Sequence, residues 1–292
     1  LQRSPTYMVS LPAEDKLANW MRRRMPDWLA YDITRLRKVL FQQFFFRVAR
    51  TQPEKTKERL LGLIREQLGP DYDMQTHFTP RYNPWEQRLC LVPDNDMFLA
   101  IKAGKASVVT DTIDTFTEKG LKLASGKELD ADIIIAATGL QLLMFGGAEL
   151  SVDGKTIETG KLYAYKGAMY SDVPNFASVF GYTNASWTLR ADLICEYVCR
   201  LVNYLSDYKL DQVTPRLGPD HEDKPFVDFS SGYFQRAKNI LPKQTTTAPW
   251  TQNQSYASDL MDLRFGAIED GVLEFKKKHA RESAAAYEAA IV

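Results

Sequence analysis

The stretch Asp132-Ile133-Ile134-Ile135-Ala136-Ala137-Thr138-Gly139 constrains the fold more than any other part of the 292-residue chain. Three consecutive isoleucines followed by two small residues do not alternate apolar with polar, so they suit a strand covered on both faces, as in a parallel sheet flanked by helices. Such a strand, ending in Thr-Gly, brings its carboxyl end to the place where α/β sheets bind ligands. No G-x-G-x-x-G occurs anywhere in the sequence, so the strand is expected without the glycine turn that cradles a dinucleotide pyrophosphate.

Upstream, residues 19 to 70 carry a helical period: Trp20, Trp28, Leu29, Leu36, Leu40, Phe44, Phe45, Val48, then Leu60, Leu61, Leu63, Ile64 and Leu68. Pro26 and Pro53 divide this block into two or three helices, because proline can open a helix but cannot continue one. Short strands follow, with turns at Glu118-Lys119-Gly120 and Ser125-Gly126-Lys127, so a β-meander is expected to lead into the isoleucine strand. A further hairpin is expected around Val152-Asp153-Gly154-Lys155. The tail KKKHARESAAAYEAAIV reads as a last helix or a frayed end.

Leu189, Leu193, Ile194, Tyr197, Leu201, Val202 and Leu205 predict a strong amphipathic helix from about Thr188 to Leu205. Asn184, Ser186 and Thr188 compete to cap it, and a strand from Phe176 to Val179 is expected before it. Strand, glycine turn and helix in this order can aim free N–H groups and the positive end of the helix dipole at a ligand. The same pattern also describes a plain packing unit, and the residues leave both readings open.

Charge narrows the partners. Thirty-seven basic and thirty-seven acidic residues cancel, which removes the global attraction that nucleic acid would exploit. Locally, residues 21 to 70 hold twelve Lys and Arg against five Asp and Glu, a net of +7, with aromatics interleaved. That block is read chiefly as an insertion whose aromatic stripe packs on a sheet and whose basic face is solvated. The other reading is a peripheral membrane surface. Cys90, Cys195 and Cys199 are odd in number, have no C-x-x-C spacing and follow no signal-peptide pattern, so a cytoplasmic, reducing compartment is expected. Cys195 and Cys199, four apart on one helix face, are expected as buried small apolar residues rather than metal ligands.

In order along the chain, LQRSPTY, YNPWEQRL, DIIIAATGL, VPNF before GYTNASWTLRADL, and LPKQTTTAPW resemble segments of the class B flavoprotein monooxygenases. Among these the sequence is most similar to the Baeyer-Villiger monooxygenases, in particular the ethionamide-activating group. The resemblance implies an α/β fold with two Rossmann-like dinucleotide-binding domains, for FAD and NADPH, here incomplete at the amino end. It further implies residues 1–137 as the remainder of the NADPH domain, with a helical insertion at about 19–70, and 138–292 as the carboxyl part of the FAD domain.

The activity implied is insertion of one oxygen from O2 into a ketone, or onto a sulfide, through a C4a-peroxyflavin. Arg88 matches the family's catalytic arginine, a permanently charged donor suited to a tetrahedral alkoxide. Arg3 and Ser4 match the grip on the 2′-phosphate of NADPH. Gln87 stands where many members carry lysine, which leaves preference for NADPH over NADH open. Thr138 and Gly139 match the passage beside the cofactors. Asn184, Ala185, Ser186 and Trp187 match the helix start at the flavin pyrimidine edge, and Trp250 matches a tryptophan at the NADP ribose. Apart from the resemblance, Trp250 reads equally as an aromatic anchor of the core. Two other functions remain in view: an inactive remnant of such an enzyme, and an N-hydroxylating flavoprotein, against which Arg88 argues.

Overall fold

A computed structural model describes residues 1–87 and 89–277. The chain divides into two compact units, one of Leu1–Leu140 with Phe229–Ser231, the other of Gln141–Asp228 with Gly232–Val292. The chain passes from the first to the second immediately after Gly139-Leu140. The expected carboxyl-terminal helix falls mostly in 278–292, outside the described residues.

The first unit begins with β1 (Met8–Leu11) and three helices, α1 (Lys16–Arg24), α2 (Asp27–Thr51) and α3 (Pro53–Leu68). The prolines act as expected. Pro26 is the N-cap of α2 and Pro53 is the first residue of α3, where its missing N–H costs no hydrogen bond. Asp15 caps α1 through the Ala18 N–H and also binds Arg37 and Lys38 of α2, tying the two helices together. Next come α4 (Met74–Phe78), β2 (Cys90–Pro93) and α5 (Asp96–Lys102). Strands β1 and β2 pair in parallel, Met8 opposite Cys90 through Leu11 opposite Pro93. Ile64, Met74, Phe78, Val92 and Phe98 form the core beside them. The meander is present as β3 (Ile113–Thr117), β4 (Gly120–Leu123) and β5 (Glu128–Asp130), with turns where the sequence puts them.

Two expectations fail in this unit. The isoleucine run forms no strand: Ala131 still donates to the Lys119 carbonyl, but 132–139 belong to no described strand, and Ile133 and Ile135 are 81% and 87% exposed. A strand buried on both faces exists only where neighbours supply its ladder bonds and two covering layers, and among the described residues none lies beside it. The aromatic stripe of the helical block is not packed on a sheet either. Trp20, Trp28, Leu36, Leu40 and Phe44 are exposed, while Ala18 and Met21 of α1 and Ala30, Val39 and Ala49 of α2 take the buried positions.

The second unit opens with the hairpin β6 (Ser151–Val152) and β7 (Lys155–Thr156), formed around Asp153-Gly154 as expected, and a second hairpin, β8 (Ala164–Tyr165) and β9 (Met169–Tyr170). Instead of a strand at Phe176 to Val179 there is a single bridge, Ala177 to Met169. Then α6 (Trp187–Asp207) runs through the centre. It is followed by β10 (Leu210–Pro215), β11 (Asp223–Pro225), α7 (Gly232–Ala237), β12 (Lys243–Thr245), α8 (Tyr256–Asp259) with a π-helical turn over Leu260–Phe265, and β13 (Leu273–Lys277). Pairs β10–β13 and β11–β12 are antiparallel.

Leu189, Leu193, Ile194, Tyr197 and Leu201 are buried, as the period predicts, the last four in one core with Tyr165, Met169, Val213, Trp250 and Leu263. Val202 is exposed, and Cys195 and Cys199 are exposed where burial was expected, because they lie on the opposite side of α6 from its buried face. The result is a mixed helix and strand fold with small sheets. Among the described strands the parallel sheet expected of a full dinucleotide-binding domain is represented by the β1–β2 pair alone.

Candidate functional site

The start of α6 brings Asn184, Ala185, Ser186 and Trp187 of the expected site together. Gly181 and Tyr182 are buried, and the backbone then turns outward through Thr183, Asn184 and Ala185 to the helix. Trp187 lies against Gly181, where an added Cβ would meet its ring atoms at 2.4 Å, so only glycine fits there. Ser186 is the N-cap residue, but its hydroxyl engages Thr188 Oγ1 at 2.9 Å and caps no backbone N–H. The first N–H groups of α6 are therefore without a side-chain cap, and Ser186, Trp187 and Thr188 are exposed.

The loop is held from below. Thr183 donates through both its N–H and its hydroxyl to Gln254 Oε1, and Asn184 Nδ2 donates to the Gln254 carbonyl at 2.9 Å. Asn184 is 5% exposed, and its Oδ1 has no hydrogen-bond partner among the described residues. A buried carbonyl oxygen without a donor is costly, on the order of 1–3 kcal/mol. An incoming N–H or O–H at this place would relieve it.

Beneath the first turn sits Arg190, which is 1% exposed. Its Nη1 donates to Gln252 Oε1 at 2.5 Å and its Nη2 to the Lys166 carbonyl at 3.3 Å. Its Nε lies 3.4 Å from Asp259 Oδ2, and its guanidinium stands over the Tyr182 ring at 5.6 Å. The Tyr182 hydroxyl donates to the same Asp259 oxygen at 2.6 Å. Burial pushes the Asp259 carboxyl above its usual range although Arg190 and Tyr182 oppose that, and burial also pushes the Tyr182 phenol up. Gly167, at φ +61°, makes room for this arrangement: a Cβ there would lie 2.5 Å from Arg190 Nη2.

The sequence reading missed Arg190, Tyr182, Asp259 and Gln252. A signal was present, since Arg190, Ile194, Tyr197 and Leu201 follow the apolar spacing of α6 and put a charged residue in the middle of its buried face.

The other expected site residues are dispersed. In the first unit Arg3 and Ser4 are exposed, just after Gln2, whose backbone bonds Val109 and Asp111. Gln87 is half-buried and donates to Ser230 Oγ at 3.4 Å, and Arg88, the expected catalytic residue, lies outside the described residues. Thr138 and Gly139 are exposed, Gly139 at φ +125°. In the second unit Trp250 is 5% exposed and packs edge-on to Tyr165 with ring centroids 5.6 Å apart, inside the core. A cavity of about 330 Å³ lies at the carboxyl ends of β1 and β2, lined by Ser10, Leu11, Leu63, Asp94 and Asn95 among others. None of the expected site residues that the structure describes lines it.

No protein-family model matches the chain. Individual proteins do. The FAD-containing monooxygenase EthA of Mycobacterium tuberculosis (strain ATCC 25618 / H37Rv) is 49% identical over 281 residues, which cover 96% of this chain and 58% of that protein. The probable FAD-binding monooxygenase AlmA of Acinetobacter baylyi is 45% identical over 280 residues, 95% of this chain and 56% of its own. The putative FAD-containing monooxygenase MymA of Mycobacterium tuberculosis is 42% identical over 277 residues, with 94% and 56% covered.

The chain is homologous to the EthA, AlmA and MymA monooxygenases.

It spans somewhat over half the length of these flavoprotein relatives. Among solved structures, oxidized steroid monooxygenase bound to NADP superposes with a TM-score of 0.64 at 15% identity, covering 95% of this chain and 62% of that one. OTEMO in complex with FAD and NADP gives 0.60 at 14%, covering 94% and 61%. At these identities the two structures speak to the fold alone. For a flavin, the residues at the α6 start fit. Uncapped N–H groups and the positive end of a 21-residue helix suit the electron-rich pyrimidine edge, and the unsatisfied Asn184 oxygen can accept from a ring N–H.

Proposed function

We propose that this chain is part of an FAD- and NADPH-dependent monooxygenase of the Baeyer-Villiger kind, which places one oxygen atom from O2 into a ketone, giving an ester or lactone, or onto a sulfide. The observation that carries the proposal is the α6 start: an uncapped helix terminus beside a buried, unsatisfied Asn184 oxygen, in a chain nearly half identical to EthA. FAD, when bound, supplies the redox and oxygen chemistry.

The chain's own residues bind, orient and supply charge. Trp187 and Thr188 offer N–H groups to the flavin pyrimidine edge, Asn184 accepts from it, and Ala185 and Ser186 keep the approach narrow and polar. Arg88 donates to the alkoxide that forms when a ketone carbonyl is attacked, where a group that never loses its proton serves at every working pH. Arg3 and Ser4 hold the 2′-phosphate of NADPH. Gln87, which lacks a charge, weakens the preference for NADPH over NADH. Thr138 and Gly139 let the backbone pass close to the cofactors between an NADPH-binding portion, 1–137, and an FAD-binding portion, 138–292, and the helices between 19 and 70 are an insertion in the former. Trp250 supports the NADP ribose site from within the core.

Absorption spectra and product analysis test this reading. Stoichiometric flavin absorbance, NADPH-dependent oxygen uptake and a lactone from a cyclic ketone are expected. A colourless protein refutes FAD binding by this chain and leaves the inactive remnant. A hydroxylamine formed from an amine, with no product from ketone or sulfide, replaces the reading with an N-hydroxylating enzyme.

A second proposal concerns the helical block. Trp28, Leu36, Leu40 and Phe44 are 59 to 67% exposed along α2 in a segment of net charge +7, a combination suited to an anionic lipid surface. No described helix is long and apolar enough to cross a membrane, so the contact is peripheral. Co-sedimentation with phosphatidylglycerol vesicles is expected, lost on Trp28→Ser with Phe44→Ser. Equal recovery with and without vesicles refutes it.

A further inference from the structure

Arg190 is a cation in an unusual place. It is the fourth residue of α6, three residues from Trp187, so it stands roughly 4.5 Å along the axis from the uncapped terminus. Basic residues near a helix amino end work against the helix dipole, and a side chain 1% exposed has little water to screen it. Its charge is balanced only in part. Asp259 is nearest at 3.4 Å, but the distance is longer than a charge-assisted bond, Nε has no hydrogen-bond partner among the described residues, and burial drives that carboxyl toward its neutral form. Gln252 Oε1 and the Lys166 carbonyl, which take its other donors, are uncharged. A fold that wanted only packing at this position would carry an apolar residue, as Ile194, Tyr197 and Leu201 do on the same face.

We propose that Arg190 is a positioning residue that sets the redox poise of the flavin. Its buried charge adds to the helix terminus to favour the reduced cofactor, while its bonds to Gln252 and Lys166 fix the loop Gly181–Ser186 against the segment that holds Asn184. Uptake of two electrons and one proton adds one negative charge to the flavin ring system, so a fixed positive charge below the terminus raises the reduction potential. Asp259 sets the limit on that effect by offsetting the same charge. This inference rests on the reading that FAD binds at the α6 start.

Potentiometric titration of the FAD-loaded protein against a reference dye tests it, with flavin affinity measured beside it. Arg190→Met, which keeps the volume and removes the charge, is expected to lower the reduction equilibrium constant at least tenfold, about 30 mV for a two-electron couple. Arg190→Lys is expected to recover most of that loss, and Asp259→Asn to move the potential the opposite way. A purely structural role would lower stability in all three and leave the potential in place. An unchanged potential in Arg190→Met, or a lowered one in Asp259→Asn, overturns the inference. If Arg190→Met does not fold, Asp259→Asn still fixes the sign. A colourless wild-type protein overturns the FAD reading and this inference with it, whereas a yellow wild type with unmoved potentials overturns this inference alone.

Discussion

Gly167→Ala tests whether the Arg190 arrangement is as tight as its geometry indicates. An alanine Cβ at 167 would lie 2.5 Å from Arg190 Nη2 and 2.8 Å from Gln252 Cδ and Nε2, and ordinary contact begins near 3.4 Å. Neither neighbour can retreat into solvent, since Arg190 is 1% and Gln252 4% exposed. Two costs add. The backbone at φ +61° disfavours any L side chain by roughly 1–2 kcal/mol. Displacing the guanidinium weakens its bond to Gln252, which as a hydrogen bond to a charged group is worth about 1.5–3 kcal/mol. The expected loss is therefore roughly 2.5–5 kcal/mol in the second unit, combining those two ranges.

Gly126→Ala supplies the control. That residue also has a positive φ, +86°, but an added Cβ meets nothing within 4 Å, so only the backbone cost of roughly 1–2 kcal/mol should appear. Urea unfolding read through Trp187 and Trp250 fluorescence follows the second unit for Gly167→Ala, and Trp20, Trp28 and Trp85 report on the first unit for the control. A loss below about 1 kcal/mol in Gly167→Ala would refute the clash, because even the backbone cost would then be missing.

Ile135→Ser should leave stability within about 0.5 kcal/mol, since the side chain is 87% exposed; a loss above about 2 kcal/mol in urea unfolding would mean the residue is packed as a core strand. Cys90, Cys195 and Cys199 are exposed, so all three should react with a chromogenic disulfide reagent in native buffer, and fewer than three rapid equivalents would contradict the fold. The Asp15 carboxyl is held at about 2, below its ordinary 3.8, first by the hydrogen bond from Lys38 and then by the Ala18 N–H. Because the folded value is the lower one, this stabilisation is complete above about pH 4 and lost as pH falls through about 2. Asp15→Asn should flatten the acid limb of the stability profile in that window, and an unchanged limb would dismiss the ion pair.

Much of the architecture was readable because it is local. Pro26 and Pro53 fix helix starts through a missing N–H and a fixed φ. Asp153-Gly154 and Ser125-Gly126 fix tight turns, and the three-four spacing of α6 fixes which side is apolar. None of these needs knowledge of a distant residue. The dispersed site residues were placed by ordered resemblance to a family rather than by local rules, and geometry draws Asn184, Ala185, Ser186 and Trp187 together simply because they are consecutive.

What the sequence by itself determined, then, was where helices begin, where hairpins turn and which faces are apolar. Tertiary structure alone decided which of those faces are covered. Ile133 and Ile135 have the residue types of a buried strand, and Trp28 and Phe44 those of a core helix, yet all four are exposed. Burial is a property of a pair of surfaces, and a sequence states only one of them. Arg190 is the converse: a residue type that sequence rules assign to solvent, enclosed because Gly167, Gln252, Tyr182 and Asp259 arrive from elsewhere in the chain to meet its donors and its charge.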